Sequence, residues 1–380
     1  MDAPERTNDD VWFFCQDRGG YNTIKPVREW LLGQVPDLKT RLFASGTAAN
    51  VFKEEGTAFV SCSGPGAAIT NFGGYPRVVV TSMCSELGRN MIGLINVSSA
   101  ISPTKPLTVA ITDYWGGRLT TTWANKEFRP DYICVNDLIE KAVVQKAWKE
   151  YDVGRILVPG YPYIDAYYHY DKNAIRKTMW ETFGLGSRPV VLYVGDVELG
   201  GWELHYFVVA LIFASEEVDF IARPHPNLRR DNPAEAYLWD KALQLFEHAN
   251  IGKLHNEMNV SPARDVLAAS QIVVSRFSTM TFEAALLNVE CNLAFLLPEG
   301  HDIFEKAVGG LLDDPPMVEN GFAKKVTSAG RMGLALQDAY RRLRSDRAGF
   351  HDKGYEKGKY PFDGDCSKRV GRIILSQFEP

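Results

Sequence analysis

Short, almost uniformly apolar runs recur along this chain, each separated from the next by a stretch with helical spacing, and that rhythm restricts the fold more than any other feature. In the first part the runs are "VWFFC" (11–15), "TRLFAS", "GTAFVSCS", "RVVVTSMC" (77–84), "PLTVAITD" (106–113), "PDYICVND" (130–137) and "GRILVPGYP" (154–162). A strand that is apolar on both faces needs helices on both sides of its sheet, as parallel sheets have. Parallel neighbours in turn need long, usually helical crossovers. "TIKPVREWLLGQ", "ELGRNMIGLINVSSA" and "EKAVVQKAWKEY" supply them.

The rhythm then starts again. A polar-faced helix, "YDKNAIRKTMWETFGL", leads into "RPVVLYVGD" (188–196), a fresh first strand. "HYFVVALIFAS" fits a helix, "VDFIARPHP" (218–226) a strand, "DKALQLFEHAN" a helix and "IGKLHN" a weak strand. "SPARDVLAAS" reads as a helix N-capped by Ser261, "QIVVSRFS" as a strand, and "CNLAFLL" as the last strand. The chain has 380 residues, about right for two α/β domains. The expected class is α/β, two doubly wound Rossmann-like domains, with a boundary near 163–187. Residues 1–165 form the first domain, 166–350 the second, and 351–380 a tail with a helix. Two such domains leave a cleft, and ligands bind beyond the carboxyl ends of the strands.

Composition narrows the class. Hydrophobic residues are 45% and charged ones 23%, a globular mix, and the net charge of −5 advertises no overall nucleic-acid or anionic-membrane surface. The six cysteines are scattered without a CxxC pair, which fits reduced thiols of a cytosolic protein. "MDAPERTNDD" reads as neither a signal nor a transit peptide, and no apolar run approaches the roughly 18–20 residues that span a bilayer. The expectation is a soluble cytoplasmic protein.

Candidate chemistry sits where strands end. "IVVSRFSTMTFEAALL" (272–287) runs from a strand through hydroxyls into a helix. Free N–H groups and the positive end of the helix dipole make such a turn an anion site, to which Ser275, Ser278 and Thr279 add hydroxyls. Glu283 lies four or five residues on. The plain alternative is an N-capped helix with a surface Glu. "ARPHPN" (222–227) flanks His225 with prolines and places Arg223 beside it; both are apt anion partners, or incidental charges in a turn. "YVGDVELGGWE" (193–203) carries Gly195, Gly200 and Gly201, where backbone approaches an anion or simply turns.

The first part offers "CQDRGGYN" (15–22), with Asp17, Gly19, Gly20 and Asn22, and "ITDYWGGR" (111–118), with Asp113, Trp115 and Arg118. Either aspartate suits a general base, and Asp17 and Asn22 equally suit the shaping of a Gly-Gly turn. No H-x3-H or HExxH spacing points to zinc, and no GxSxG, Walker A or GxGxxG fingerprint occurs. "DGD" (363–365) reads as loop, and "RRLRSDR" (341–347) as a solvated helix face.

The order "RPHP", about 35 residues, then "SPARDVLAASQIVVSRFSTMTFEAALL" resembles the carboxyl-terminal domain of GT-B-fold glycosyltransferases. The closest flavour is the group of CDP-glycerol glycerophosphotransferases and lipid A disaccharide synthase. The likeness covers roughly 188–297, and "NVECN" (288–292) departs from the group's Gly-x-Pro. The resemblance implies that Ser278 and Thr279 bind a donor diphosphate, Glu283 the ribose, and His225 and Arg223 the phosphates. A glycine-bearing loop at Gly195 would lie near them. On the acceptor side it implies a base, Asp17 or Asp113, with Trp115 stacking and Arg118 steadying the acceptor. It also implies a carboxyl-terminal helix that crosses back to the first domain.

The resulting expectation is a metal-independent glycosyltransferase with a nucleotide-sugar donor, UDP-linked first, and an unidentified hydroxyl acceptor (glycan, small molecule or modified DNA base). Three alternatives stay open. They are a nucleotide-sugar 2-epimerase, a phage-type DNA-base glycosyltransferase using Arg18, Lys25, Arg28, Arg118, Lys126 and Arg129, and a catalytically silent nucleotide-sugar binding module.

Overall fold

The computed structural model describes residues 9–98, 105–113, 118–345 and 362–378. Among these, contacts divide the chain into two units. One holds the described residues up to His169, Ala307–Leu311 and 362–378; the other holds Tyr170–Lys306 and 312–345.

The first unit is built on β1 (Val11–Cys15), β2 (Thr40–Ala44), β3 (Val78–Ser82), β4 (Leu107–Ile111), β5 (Tyr132–Cys134) and β6 (Ile156–Leu157), all parallel in the order β2-β1-β3-β4-β5-β6. Strand alternation sends Val11, Phe13 and Cys15 into a core with Ile24, Val27 and Leu31 of helix Arg18–Gln34. Trp12 and Phe14 point the other way, onto Phe43 and Phe72, with Phe14 stacked on Phe43 at 4.6 Å between centroids. Helix Cys366–Leu375 packs on helix Arg18–Gln34, where Gly371 leaves room for the Trp30 ring.

The second unit is built on β7 (Val190–Val194), β8 (Val218–Arg223), β9 (Gly252–Leu254), β10 (Ile272–Ser275), β11 (Cys291–Phe295) and β12 (Lys324–Val326), again parallel, in the order β12-β11-β10-β7-β8-β9. Val191, Tyr193, Phe220 and Leu293 meet helices Gly200–Ala214, Pro233–Ala249 and Ala329–Arg344 on one face. In each sheet the connections reverse direction beside the first strand, between β1 and β3 and between β7 and β10. Those reversals open crevices at the carboxyl ends of the strands.

Several sequence expectations are corrected. "QDRGGYN" is not a break: helix Arg18–Gln34 begins at once, so Gly19, Gly20 and Asn22 lie within its first turns. "GTAFVSCS" forms no strand, and Val60 only bridges Phe43. Ser261 caps nothing: helix Ala263–Ala269 has Pro262 at its N-cap without a side-chain bond. "CNLAFLL" is not the last strand, since β12 follows. "YVGDVELGGWE" is mostly loop only up to Leu199, after which Gly200 and Gly201 open a helix. "DGD" is indeed irregular, with Asp365 at the N-cap of the last helix and Asp363 paired with Arg369. All six cysteines are free thiols, and no helix among the described residues is long and apolar enough to cross a membrane.

Candidate functional site

In the first unit, β1, β3 and β4 are neighbours, so the residues just past their carboxyl ends are brought together. Asp17, Cys84 and Asp113 occupy those places, and one carboxylate oxygen of each aspartate lies within 4.8 Å of the other and of Cys84 Sγ. Asp17 is the N-cap of helix Arg18–Gln34 and accepts a bond from Gly20 N at 2.8 Å. Its other oxygen lies 3.7 Å from Arg118 Nη2, and Arg118 Nη1 donates to Cys84 O at 3.0 Å. Arg118 takes φ +71°, the left-handed region that non-glycine residues avoid. Gly19 abuts the Asp113 carboxylate, and a Cβ at Gly20 would sit 2.5 Å from Cys84 Sγ and Ser82 Oγ. Glycine is therefore what lets the helix start press against β3. Asn22 is half-buried on the same helix, and Trp115 lies outside the described residues.

Burial, and then the negative charge of Asp17, raise Asp113 to about 6 against the pull of Arg118. A carboxyl titrating there takes up a proton readily near neutrality. Burial, with Asp113 and Asp17 beside it, also pushes the Cys84 thiol well above its ordinary range. A thiol kept protonated is a poor cation ligand, although carboxylate–thiol–carboxylate is a donor set a metal can use. His301, Asp302 and Glu305 are a second close group, on a half-exposed helix.

In the second unit, β10, β7 and β8 are neighbours, and their ends carry different groups. Ser278 is the N-cap of helix Thr279–Leu286 and accepts from Met280 N at 3.2 Å; Thr279, the first helical residue, is half-exposed. Ser275 is fully buried: its hydroxyl bonds Thr281 Oγ1 and accepts from Ser278 N at 3.4 Å, so it shapes the turn from within. Glu283 is 4% exposed, which removes the surface-Glu alternative. His225, past β8, accepts Asn227 N on Nδ1 at 3.1 Å, leaving Nε2 to carry the proton of the neutral ring. Burial holds His225 below its ordinary value despite Asp196 nearby. Arg223 Nη1 donates to Ser261 O at 2.9 Å.

The glycines after β7 have partners inside the protein. A Cβ at Gly195 would lie 2.2 Å from the Trp239 ring. The N–H groups of Gly201 and Trp202 both donate to Glu235 Oε2 at 2.9 Å. The end of helix Gly200–Ala214 that seemed open to an anion already holds a carboxylate of its own chain.

Sequence reasoning missed a buried charged cluster at this place. Arg276, 3% exposed, pairs with Asp196 at 2.8 Å and approaches Glu203, 1% exposed, at 3.6 Å. Its guanidinium also lies over the Phe277 ring at 4.6 Å. Burial pushes Glu203 up to about 8 against the pull of Arg276. Arg276 Nε and Nη1 and Glu203 Oε1 have no hydrogen-bond partner among the described residues. Nothing in one sequence separates these residues from solvated charges.

Most of the cations that suggested a basic groove have partners of their own, Arg118 beside Asp17 apart. Lys25 pairs with Glu55 at 2.9 Å, Lys126 with Glu150, Arg28 bonds Thr40 at 3.2 Å, and Arg18 and Arg129 lie over the Tyr21 and Trp148 rings.

No protein-family model and no curated protein matches the chain by sequence. Solved structures do match it. The wall teichoic acid polymerase TagF soaked with CDPG is 15% identical over 97% of this chain and 88% of that one, with a TM-score of 0.58. The UDP complex of MnaA from S. aureus is 14% identical over 97% of both chains, with a TM-score of 0.64. A protein described as a UDP-N-acetylglucosamine 2-epimerase, from Listeria monocytogenes, is 14% identical over 98% and 96%, with a TM-score of 0.66. Likeness of this extent establishes the fold: two Rossmann-like domains of the GT-B type.

Proposed function

We propose that the chain is a metal-independent glycosyltransferase that moves a sugar from a nucleotide-diphosphate donor, UDP-linked first, to a hydroxyl acceptor. The observation that carries this reading is the meeting of Asp17 and Asp113 past the ends of β1 and β4, with one oxygen of each within 4.8 Å of the other, in a chain with the GT-B fold; burial raises Asp113 to about 6 there. In the transfer, the acceptor hydroxyl attacks the anomeric carbon while Asp113 takes its proton. The bond from that carbon to the diphosphate oxygen breaks, and the diphosphate leaves with the electron pair. Ser278, Thr279 and the amino end of helix Thr279–Leu286 receive the growing negative charge, with the Nε2–H of His225 as a further donor. Asp17, fixed by Gly20 N and Arg118, keeps Asp113 basic rather than acting as the base itself.

A thermal-shift panel of UDP-, GDP-, CDP- and dTDP-sugars tests the donor half. A ligand at a hundred times its Kd stabilises the fold by about 2.7 kcal/mol. One donor class is expected to raise the Tm of the wild type and not of Ser278→Ala or His225→Ala; a flat response to all four at millimolar concentration rejects the reading. Paired carboxylates also suit proton abstraction from a bound sugar, and the likeness to an epimerase gives that reading weight. Conversion of UDP-N-acetylglucosamine to an epimer, with no acceptor present, would replace the transferase by the epimerase.

A further inference from the structure

Next to the Asp17–Asp113 pair, and within the same unit, lies a cavity of about 200 Å³ lined by Gln16, Met83, Cys84, Arg89, Arg118 and Trp123, among others. Its floor is apolar: Met83 and Trp123 are buried, and the Trp123 indole N–H already donates to Met83 O at 2.9 Å. Two arginines and one carboxylate, Glu86, supply its charge. Arg89 is held by neutral groups, with Nη1 on Thr122 O at 3.4 Å, Nη2 on Asn90 Oδ1 at 3.1 Å and its guanidinium over the Phe128 ring at 5.0 Å. Arg118 is held chiefly by Cys84 O. The carboxylates beside them, Glu86 for Arg89 and Asp17 for Arg118, stand at 3.7 Å each, beyond hydrogen-bond length. Two guanidinium groups thus line one small cavity with no carboxylate closer than 3.7 Å to either among the described residues.

We propose that this cavity is a subsite for a phosphoryl group carried by the acceptor. Guanidinium forks match the oxygens of phosphate, and a pair of them fixes its orientation. The volume is below that of a pocket for a drug-sized ligand and suits a phosphoryl group with a few carbons. Cys84 lines the cavity and its Sγ lies within 4.8 Å of an Asp113 carboxylate oxygen, so a hydroxyl a few atoms from the bound phosphoryl group comes within reach of the base. The word acceptor rests on the function proposed above; the anion subsite does not.

Calorimetric titration of the full chain with inorganic phosphate, ribose 5-phosphate and ribose provides the test. Both phosphates are expected to bind, and ribose at least tenfold more weakly than ribose 5-phosphate. Arg89→Gln, which keeps an amide donor and loses the charge, is expected to weaken the phosphates at least tenfold, and Arg118→Gln to do the same. His225→Ala, in the other unit, should leave a phosphate-binding event in place. Equal affinity for ribose and ribose 5-phosphate overturns the proposal. So does phosphate binding that, in the His225→Ala background, survives both arginine changes or is absent from the start. If Arg89→Gln fails to fold, Arg118→Gln decides. Loss of the nucleotide response with the phosphate response intact would sink the transferase reading and leave the subsite standing; the reverse would sink the subsite alone.

Discussion

The carboxyl ends of the two sheets have the same backbone design and opposite chemistry. Past β1, β3 and β4 the chain places two aspartates around a buried thiol, and burial lifts one of them to about 6. Past β7, β8 and β10 it places hydroxyls, an imidazole and a helix start, over a buried arginine tied to Asp196 and Glu203. Parallel strands with a reversal beside the first strand supply a crevice in both units, and nothing in that design dictates what lines it. The first crevice is suited to accepting a proton and the second to accepting negative charge. Each half of the proposed transfer needs one of these.

Changes that erase the contrast should have the largest effects. Asp113→Asn removes the proposed proton acceptor, and turnover is expected to fall by about 10²–10⁴-fold. In the wild type the rate should drop as pH falls through about 6, because only the ionised carboxylate accepts the proton. The same shift costs stability. Raised from its ordinary 3.8, Asp113 favours the folded state below that value, and the advantage is lost as pH rises through about 6. Asp113→Asn should therefore melt higher than wild type at pH 7.5 while losing activity; a variant equally active and no more stable would show that the first crevice holds no poised acid.

Arg276→Ala takes the cation from Asp196 and leaves the buried Glu203 beside an unfilled space, and should destabilise the second unit by about 1–3 kcal/mol in denaturant titrations. An effect below 1 kcal/mol would make the cluster incidental. Gly195→Ala sharpens the comparison from a different side. The new Cβ meets Trp239, so a loss of about 1–3 kcal/mol is expected with nucleotide affinity retained in the folded fraction. If affinity collapses while stability holds, that glycine serves a ligand after all.

The smallest effect is expected of Glu203→Gln. Wild-type stability should decline as pH rises from about 4.5 to about 8, as the raised carboxyl loses its proton in the folded state. The Gln variant should lack that part of the slope and differ little from wild type at acid pH.

The repeated strand–helix rhythm was legible because long apolar runs such as "RVVVTSMC" and "RPVVLYVGD" have few other ways to be buried. β12 escaped, since three residues with two lysines carry no apolar run. "GTAFVSCS" misled because its pattern is strand-like while only Val60 finds a neighbour. The start of helix Arg18–Gln34 was hidden by two glycines, which look like a break, whereas Gly20 is in fact the condition for packing on Cys84 and Ser82 and Gly19 abuts Asp113. At the candidate sites, the hydroxyl turn and the His225 turn could be read from local order alone. Arg276, Asp196 and Glu203 could not, because an arginine so far along the chain from its two carboxylates looks solvated until strands set them side by side.

By itself the sequence determined two parallel α/β sheets and which residues stand at strand ends, because hydrophobic periodicity and turn chemistry are local properties written in consecutive residues. Only the tertiary structure decided which of those strand ends are neighbours, which glycines serve packing, and which carboxyls are buried enough to change their acidity. Those are consequences of strand order and desolvation, and both depend on contacts between residues far apart in the chain.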